Sequence, residues 1–229
     1  MQFDPPLIAG VLIRRYKRFL ADVDIAGRLE IAHCANPGSM LGLAEPASPI
    51  WLSSSDNPAR KLRLTWELVK AGSALVGINT GYANRLAEEA IQAGRIEALT
   101  GYSGLRREVP YGEGSRIDFL LEDPGQPPCY VEVKSVTLKR REAAEFPDSV
   151  TARGTRHLRE LSAMRQAGAR AVMLFVAQRG DCRQLMVAAD IDPAYAGELA
   201  RAREAGVEVL AYDCRVSPAG IEIDRPLGF

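Results

Sequence analysis

Short apolar runs separated by turn-forming residues fill the first part of the chain. Runs of this length, bounded by Gly, Pro, Asn or Ser, are typical of β-strands. The pattern predicts six strands, over residues 7–13, 19–25, 29–34, 50–53, 62–69 and 75–78. Several short strands at such spacing favour a small barrel or sandwich. We therefore expect residues 1–80 to form an all-β domain.

The pattern changes to helical spacing after Asn79. Apolar positions three and four residues apart predict a helix over residues 82–93, with Gly94 as its stop. Further apolar runs predict strands over residues 105–109, 116–122, 129–136, 171–177, 207–212 and 221–223, and helices that open at Thr151 and Asp192. A helix between two buried strands is the crossover that a parallel pair requires. Residues 81–229 are therefore predicted to form an α/β domain with a mixed central sheet.

Two adjacent predicted strands carry charged residues among apolar ones. Because side chains alternate along a strand, Glu132 and Lys134 are expected on one face of theirs. If the two strands pair, Asp118 lies beside them. Two carboxylates and a lysine suit a divalent-metal phosphodiester hydrolase, since carboxylates bind Mg²⁺ and lysine orients water or stabilises charge on the phosphate.

This Asp…Glu-x-Lys arrangement resembles the core of the PD-(D/E)xK, or restriction-endonuclease-like, nucleases. The motif alone is weak, because half-exposed strands often carry Glu-x-Lys as a solvated ion pair. Its aliphatic neighbours and the predicted element order, α-β-β-β-α-β with an α-β extension, favour the functional interpretation.

Positive charge is local in this chain. The formal net charge is zero, with 29 basic and 29 acidic residues, so the surface as a whole does not attract nucleic acid. One basic run contains an aromatic residue, a combination that single-stranded nucleic-acid sites use, although a solvated turn explains it equally well. This run is Arg14, Arg15, Tyr16, Lys17 and Arg18. A second basic group, near Thr151, includes Arg153 and Arg156.

Other features narrow the class of protein. Charged residues interrupt every apolar run and the N-terminus lacks a signal-peptide pattern, so we expect a cytoplasmic protein without a membrane partner. The four cysteines are scattered and are predicted to be reduced thiols. The Asn-Pro-Gly-Ser-Met turn at residues 36–40 is either a phosphate-binding loop or a simple connection.

Blocks along nearly the whole chain resemble a known family. They include residues 15–23 (RYKRFLADV), 33–40 (HCANPGSM), 115–119 (SRIDF), 130–138 (YVEVKSVTL), 146–148 (FPD) and 157–161 (HLREL). On these blocks the chain resembles the sugar fermentation stimulation protein A family. The resemblance implies an N-terminal OB-like barrel, a C-terminal restriction-endonuclease-like α/β domain and non-specific DNA binding.

The resemblance also bears on the first helix and on the helix after Thr151. Apolar periodicity leaves Glu88 and Glu89 open as the acidic residue of the site, and the family pattern Asn-x-x-x-x-Glu-Ala-Ile matches Glu89. Residues 155–156 are Thr-Arg where the family has Gln-Lys. Arg156 keeps the positive charge but is a poorer proton donor than lysine.

These observations predict a metal-dependent nuclease. The expected catalytic residues are Asp118, Glu132, Lys134 and His157; the expected metal ligands are Glu89, Asp118 and Glu132, for Mg²⁺ with Mn²⁺ as a substitute. Arg14, Arg15, Tyr16, Lys17, Arg18, Arg153 and Arg156 are expected to contact nucleic acid. The expected partner is DNA, bound largely without sequence preference, with RNA as an alternative. The oligomeric state stays open, a homodimer included.

The alternative function is a non-catalytic DNA-binding protein that regulates sugar metabolism, maltose in particular. The residues themselves show no sugar pocket and no helix-turn-helix. Clustered carboxylates repel one another and destabilise a fold that binds no cation, which favours retained chemistry.

Overall fold

The first six strands form a closed barrel. The computed structural model describes residues 1–112 and 114–229. The strands are β1 (Ile8–Tyr16), β2 (Leu20–Ile25), β3 (Arg28–Cys34), β4 (Pro49–Ser54), β5 (Leu64–Ala71) and β6 (Ala74–Gly77). They are hydrogen-bonded in the order β3-β2-β1-β4-β5-β6, and an additional parallel pairing of β3 with β5 closes β1 to β5 into a barrel. All six predicted strands are confirmed.

Alternation along these strands fills the barrel. Leu12, Val23, Ile50, Leu52 and Trp66 point inward and are fully buried. One face of each strand is therefore removed from water. This burial of apolar surface is the main contribution to the stability of a small barrel.

The rest of the chain builds an α/β unit. Its helices are α1 (Tyr82–Gln92), α2 (Ala152–Gln166) and α3 (Pro193–Glu204), with a single 3-10 turn at Glu97–Leu99. Its strands are β7 (Gly104–Tyr111), β8 (Ser115–Asp123), β9 (Gln126–Val136), β10 (Leu138–Arg140), β11 (Ala143–Phe146), β12 (Arg170–Ala177), β13 (Gln184–Val187), β14 (Glu208–Ser217) and β15 (Gly220–Pro226).

Six of these strands form the central mixed sheet, in the order β15-β14-β12-β9-β8-β7. Strand β12 runs parallel to β9 and to β14, and the outer pairs are antiparallel. Helix α1 packs on one face, while α2 and α3 pack on the other. The mixed sheet and its crossover helix match the sequence prediction.

Two local features were missed from sequence. Residues 138–149, for which the sequence pattern predicts no strand, contain β10 and β11, which form a small second sheet with β13. These strands are too short to show periodicity, and the parallel β11–β13 pairing joins residues about 40 apart in the chain. Strand β9 also begins within the predicted connection. It can include Pro127 and Pro128 because both precede the β9–β12 ladder, which starts at Cys129.

Gln178 connects the barrel to the central sheet. Its buried Nε2 donates to the carbonyl of Asn79 and to Oγ of Ser135, both at 2.9 Å, and the backbone carbonyl of Gln178 accepts from the amide of Gly77 at 2.8 Å. A Cβ at Gly77 would lie 2.8 Å from the Gln178 amide oxygen, so a larger residue there would require the Gln178 side chain to shift. This side chain fixes the barrel next to β9.

No helix among residues 1–112 and 114–229 combines the length and the apolar character needed to span a membrane.

Replacing Gln178 by Ala is expected to destabilise the protein by about 1–3 kcal/mol, because its side chain loses two hydrogen bonds, each of which contributes about 0.5–1.5 kcal/mol. Urea unfolding would measure the change. Gln184→Ala, an exposed glutamine on β13, is the matched control and should change stability by less than about 0.5 kcal/mol. Equal effects of the two substitutions would show that Gln178 does not hold the junction.

Candidate active site

Asp118 lies where the β8–β9 ladder stops. The last paired residues are Phe119 and Val131, so Asp118 and Glu132 come next on facing strands. Oδ2 of Asp118 accepts from the amide of Val133 at 2.7 Å, and Oδ1 accepts from Nδ2 of Asn84, on α1, at 2.7 Å. The carboxylate thus takes the place of a strand partner for β9 and is held from both sides.

Glu132 is the buried carboxylate of the pair, 2% exposed. Its Oε1 accepts from Nζ of Lys134 at 2.5 Å and also contacts Nδ1 of His157. Its Oε2 is buried without a hydrogen-bond partner among the described residues. Strand alternation puts Glu132 and Lys134 on the same side of β9, toward α2, as expected from the sequence.

His157 is held between Glu132 and Arg153. Nε of Arg153 lies 3.2 Å from Nε2 of His157, and a guanidinium can only donate, so Nε2 is the acceptor. A neutral ring with Nε2 unprotonated carries its proton on Nδ1, which therefore donates to Glu132. With 2% exposure, His157 orients the carboxylate and does not present a surface to a phosphate.

The two carboxylates have opposite electrostatic environments. Burial, followed by the negative charge of Glu132, raises the pKa of Asp118 above its usual value. Burial also acts to raise the pKa of Glu132, but the His157 hydrogen bond and the charge of Lys134 outweigh it and leave that pKa lowered. Pairs of titratable groups whose pKa values are pushed apart are typical of reactive sites.

A cleft of about 470 Å³ opens beside these residues, between the barrel and the central sheet. Lys134 and Asn84 line it from the α/β unit, and Arg18 and the turn at residues 36–38 line it from the barrel. Both units therefore line this cleft, next to Lys134 and Asn84, which are hydrogen-bonded to the two carboxylates.

Glu89 does not join this site. Its Oε2 lies 2.7 Å from the amino nitrogen of Met1, and its Oε1 accepts from Nε of Arg85 at 2.9 Å, in a separate pocket. Glu88 shares a helix face with Asn84, four residues earlier, and is paired with Arg107 at 3.3 Å. The prediction that Glu89 is a metal ligand of this site is therefore wrong. Adjacent residues on a helix point about 100° apart, so Glu89 does not share the helix face of Glu88 and Asn84.

In the basic run of the barrel, residues 14–18, some side chains are bound within the protein and others are free to contact a ligand. Arg15 donates to the carbonyls of Arg18, Ser39, Asn36 and Gly38, so its guanidinium supports the turn and is not available to a phosphate. Nε of Arg14 pairs with Asp22 at 2.7 Å. The expectation that all five residues face nucleic acid is corrected at these two arginines.

The other members of the run form an exposed tip. Lys17 and Arg18 adopt positive φ values of 45° and 64° in the turn between β1 and β2, and both are exposed. The Arg14 guanidinium lies 5.0 Å above the ring of Tyr16, so that ring face is already occupied. On α2, Arg156 is exposed, whereas Nε of Arg153 is bound to His157.

The turn at residues 36–40 holds a carboxylate of this chain. Oδ2 of Asp148 accepts from the amide of Met40 at 3.1 Å, and the Gly38 amide donates to Oδ1 of Asn36 at 2.8 Å. Ser39 Oγ also donates to the Asp148 carbonyl at 2.7 Å. The turn is therefore a connection that joins the barrel to the loop before α2, and the phosphate-loop interpretation is not supported.

Asn84 is a site residue that sequence reasoning missed. Its sequence signals are a polar side chain beside the apolar stripe of α1 and its place as the Asn of the family pattern Asn-x-x-x-x-Glu-Ala-Ile. The contact with Asp118 depends on how α1 packs on the sheet, and this packing cannot be predicted from the local sequence pattern.

The carboxylate pair fits a divalent cation. The described residues contain no group of three His, Cys, Asp or Glu side chains that could hold a metal. Mg²⁺, however, is commonly bound through one or two carboxylates, with water and substrate phosphate completing its shell. The buried Oε2 of Glu132, which has no hydrogen-bond partner among the described residues, is the observation that supports this fit.

Two family models match most of the chain. One is described as the SfsA N-terminal OB domain and matches residues 13–78; the other is described as the sugar fermentation stimulation protein RE domain and matches residues 81–220. The chain belongs to the sugar fermentation stimulation protein family. The expected division near residue 80 lies between the two matched segments.

Relatives in the family share the full length of the chain. It is 57% identical to a sugar fermentation stimulation protein homolog of Maricaulis maris, covering 99% of this chain and 97% of that protein. A homolog of Rhodospirillum centenum is also 57% identical, with 99% and 98% covered. A solved structure of Pyrococcus furiosus SfsA in complex with Ca²⁺ matches with a TM-score of 0.90 and 29% identity, over 100% of this chain and 97% of that one.

The family assignment confirms the fold class expected from the sequence. The N-terminal unit is an OB barrel, and the C-terminal unit is a mixed sheet covered by helices, as in restriction-endonuclease-like domains.

Asp118→Asn is expected to stabilise the metal-free protein at neutral pH. Because the pKa of Asp118 is raised in the folded state, its ionisation opposes folding. This cost is absent below the unfolded pKa, about 4, and fully present above the folded pKa. The Asn84 amide can rotate to pair with the new amide.

Thermal unfolding in EDTA would test this between pH 3 and pH 8. The variant's advantage should grow as pH rises and vanish at the acidic end. Asp123→Asn, at the end of the same strand, is the control and should show no such gain, because the pKa of Asp123 is lowered by its hydrogen bond from Gly125. A variant of Asp118 that is less stable at every pH would contradict the assignment.

Proposed function

We propose that the protein is a divalent-metal-dependent nuclease that hydrolyses phosphodiester bonds in DNA. The observation that carries this proposal is that Asp118 and Glu132 face each other on neighbouring strands beside Lys134, which lines the cleft, with an orphaned carboxylate oxygen on Glu132. The Ca²⁺ complex of Pyrococcus furiosus SfsA supports it, because that protein has a similar fold and was solved with a divalent cation. Mg²⁺ is the proposed physiological ion, with Mn²⁺ as a substitute.

Each residue has a distinct role in this proposal. Asp118 and Glu132 would hold the cation, which when bound polarises the phosphate and acidifies water. Hydrolysis forms a bond from water oxygen to phosphorus and breaks the ester bond to the leaving alcohol. Nζ of Lys134, which lies 2.5 Å from Glu132 and at the cleft wall, would donate to the water or to a phosphate oxygen.

His157 acts through Glu132. Its Nδ1 proton keeps Oε1 oriented, and Arg153 fixes the ring from the other side. Such supporting hydrogen bonds commonly affect metal affinity and activity almost as much as the ligands do. His157 is therefore a positioning residue.

The nucleic acid is proposed to cross the cleft between the two units. Lys17 and Arg18 extend from the barrel, residues 1–80, and Arg156 extends from the nuclease-like unit, residues 81–229. These are phosphate-binding groups, and the described residues include no element set to read base edges, so binding should depend little on sequence. RNA, which offers the same phosphates, is an alternative substrate.

Loss of cleavage in site variants is the central expectation. With Mg²⁺ or Mn²⁺, the native protein should cut at least one member of a panel of single-stranded, duplex and branched DNA and RNA. Asp118→Asn and Lys134→Met should each lower the rate by about 10²–10³-fold or more, because each removes a group that acts on the reacting phosphate. Lys70→Met, an exposed barrel lysine, and Asp123→Asn are the matched controls and should keep full activity.

Binding measurements distinguish a loss of metal binding from a loss of catalysis. Titration calorimetry with Mn²⁺ should show binding to the native protein and to Lys134→Met, and none to Asp118→Asn combined with Glu132→Gln. DNA binding without cleavage, unaffected by metal, would overturn the nuclease and leave the alternative of a non-catalytic DNA-binding regulator.

The salt dependence of DNA binding should identify the phosphate contacts. Lys17→Gln and Arg18→Gln are each expected to reduce the slope of log K against log [salt] by about one, because each phosphate contact releases counterions. Arg14→Gln should leave the slope unchanged, since Arg14 is paired with Asp22. The opposite ranking would show that DNA does not approach the turn between β1 and β2.

A further inference from the structure

The β2–β3 hairpin extends beyond the barrel. The last three residues of β3 pair with β5, but residues 28–31 are exposed and pair with β2 alone among the described strands. One edge of this segment therefore presents unpaired amides and carbonyls. Natural proteins usually cover such an edge or pair it with another strand.

Two exposed apolar side chains lie on this free edge, and two more lie on β1, on the far side of β2. Leu29 is 69% exposed and Ile31 is 45% exposed, and Val11 and Ile13 on β1 are each 42% exposed. The register places Val11, Asp24 and Leu29 in one row across the three strands. Large apolar residues grouped on a sheet face mark a protein contact more often than isolated ones do.

The charges around the edge do not suit nucleic acid. Asp22, Asp24 and Glu30 lie on β2 and β3, and Arg14 on the neighbouring strand is already paired with Asp22. A phosphate backbone requires an excess of positive groups. The edge therefore fits a protein strand better than a nucleic acid.

The sequence of the free edge is complementary to itself. Arg28 and Glu30 flank Leu29, and neither has an ion-pair partner among residues 1–112 and 114–229. If two copies of β3 pair antiparallel about a two-fold axis at Leu29, Arg28 of each copy lies opposite Glu30 of the other. Leu29 then meets Leu29. Opposite charges and apolar residues directly across antiparallel strands are both stabilising.

We infer that the protein forms a two-fold symmetric homodimer through the free edge of β3. The two copies of β1, β2 and β3 become one continuous six-stranded sheet across the interface, and an isologous contact of this kind closes with two copies. The inference does not rest on the nuclease proposal, because none of these residues belongs to the cleft.

Sedimentation equilibrium with charge-reversal variants tests the pairing. The native protein should show twice the monomer mass of 24.9 kDa at high concentration. Arg28→Glu and Glu30→Arg should each weaken dimerisation about tenfold or more, since each places like charges opposite one another twice. The double variant exchanges the two charges and should restore native affinity.

Two outcomes would overturn the inference. One is a native protein that stays monomeric at the highest concentration reached; the other is a double variant that dimerises as weakly as either single variant.

A matched covalent test uses Leu29→Cys, which should form a disulfide-linked dimer on mild oxidation because a residue on the two-fold axis meets its own copy. Leu41→Cys, 51% exposed elsewhere on the barrel, should not, and the four native cysteines are all buried. Equal cross-linking of the two variants would count against the β3 pairing.

Discussion

The burial of the Glu132 carboxylate is the constraint on which the site depends. A buried charge is costly unless charged and hydrogen-bonded partners surround it. Here one oxygen is compensated by Lys134 and His157, while the other has no partner among the described residues. The nearby Asp118, with its raised pKa, adds repulsion. A bound cation would offset this repulsion and the unpaired charge, and this energetic imbalance is the physical basis for the proposed metal site.

Three different elements supply the compensation. Strand β9 carries Glu132 and Lys134, helix α2 brings His157, and helix α1 reaches Asp118 through Asn84. The sheet therefore has to be covered on both faces before the site exists. Thr151 caps α2 through a hydrogen bond from the Gly154 amide to its Oγ, so the first turn, with Arg153, is fixed close to the carboxylates.

The barrel takes part in the cleft because it is tied to the α/β unit at two points. Gln178 joins it to β9, and Asp148 holds the turn at residues 36–40. Arg15 stiffens the same turn from within the barrel. Gly38 suits this contact, because a Cβ there would overlap the Asp148 carboxylate. The residues that resembled a nucleic-acid surface in sequence are thus partly used to hold the two units together, which leaves Lys17 and Arg18 at the exposed tip.

The sequence alone determined the strands of the barrel, the three helices, the mixed sheet and the face of β9 that carries Glu132 and Lys134. These follow from local periodicity and capping, which act between residues close in the chain. Tertiary structure decided the rest. It placed Glu89 in a separate pocket, buried His157 behind Glu132, committed Arg15 to backbone carbonyls and paired β11 with β13. Each of these depends on the rotation of a helix or on contacts between distant segments, and the energy of such contacts is set by packing that no local pattern encodes.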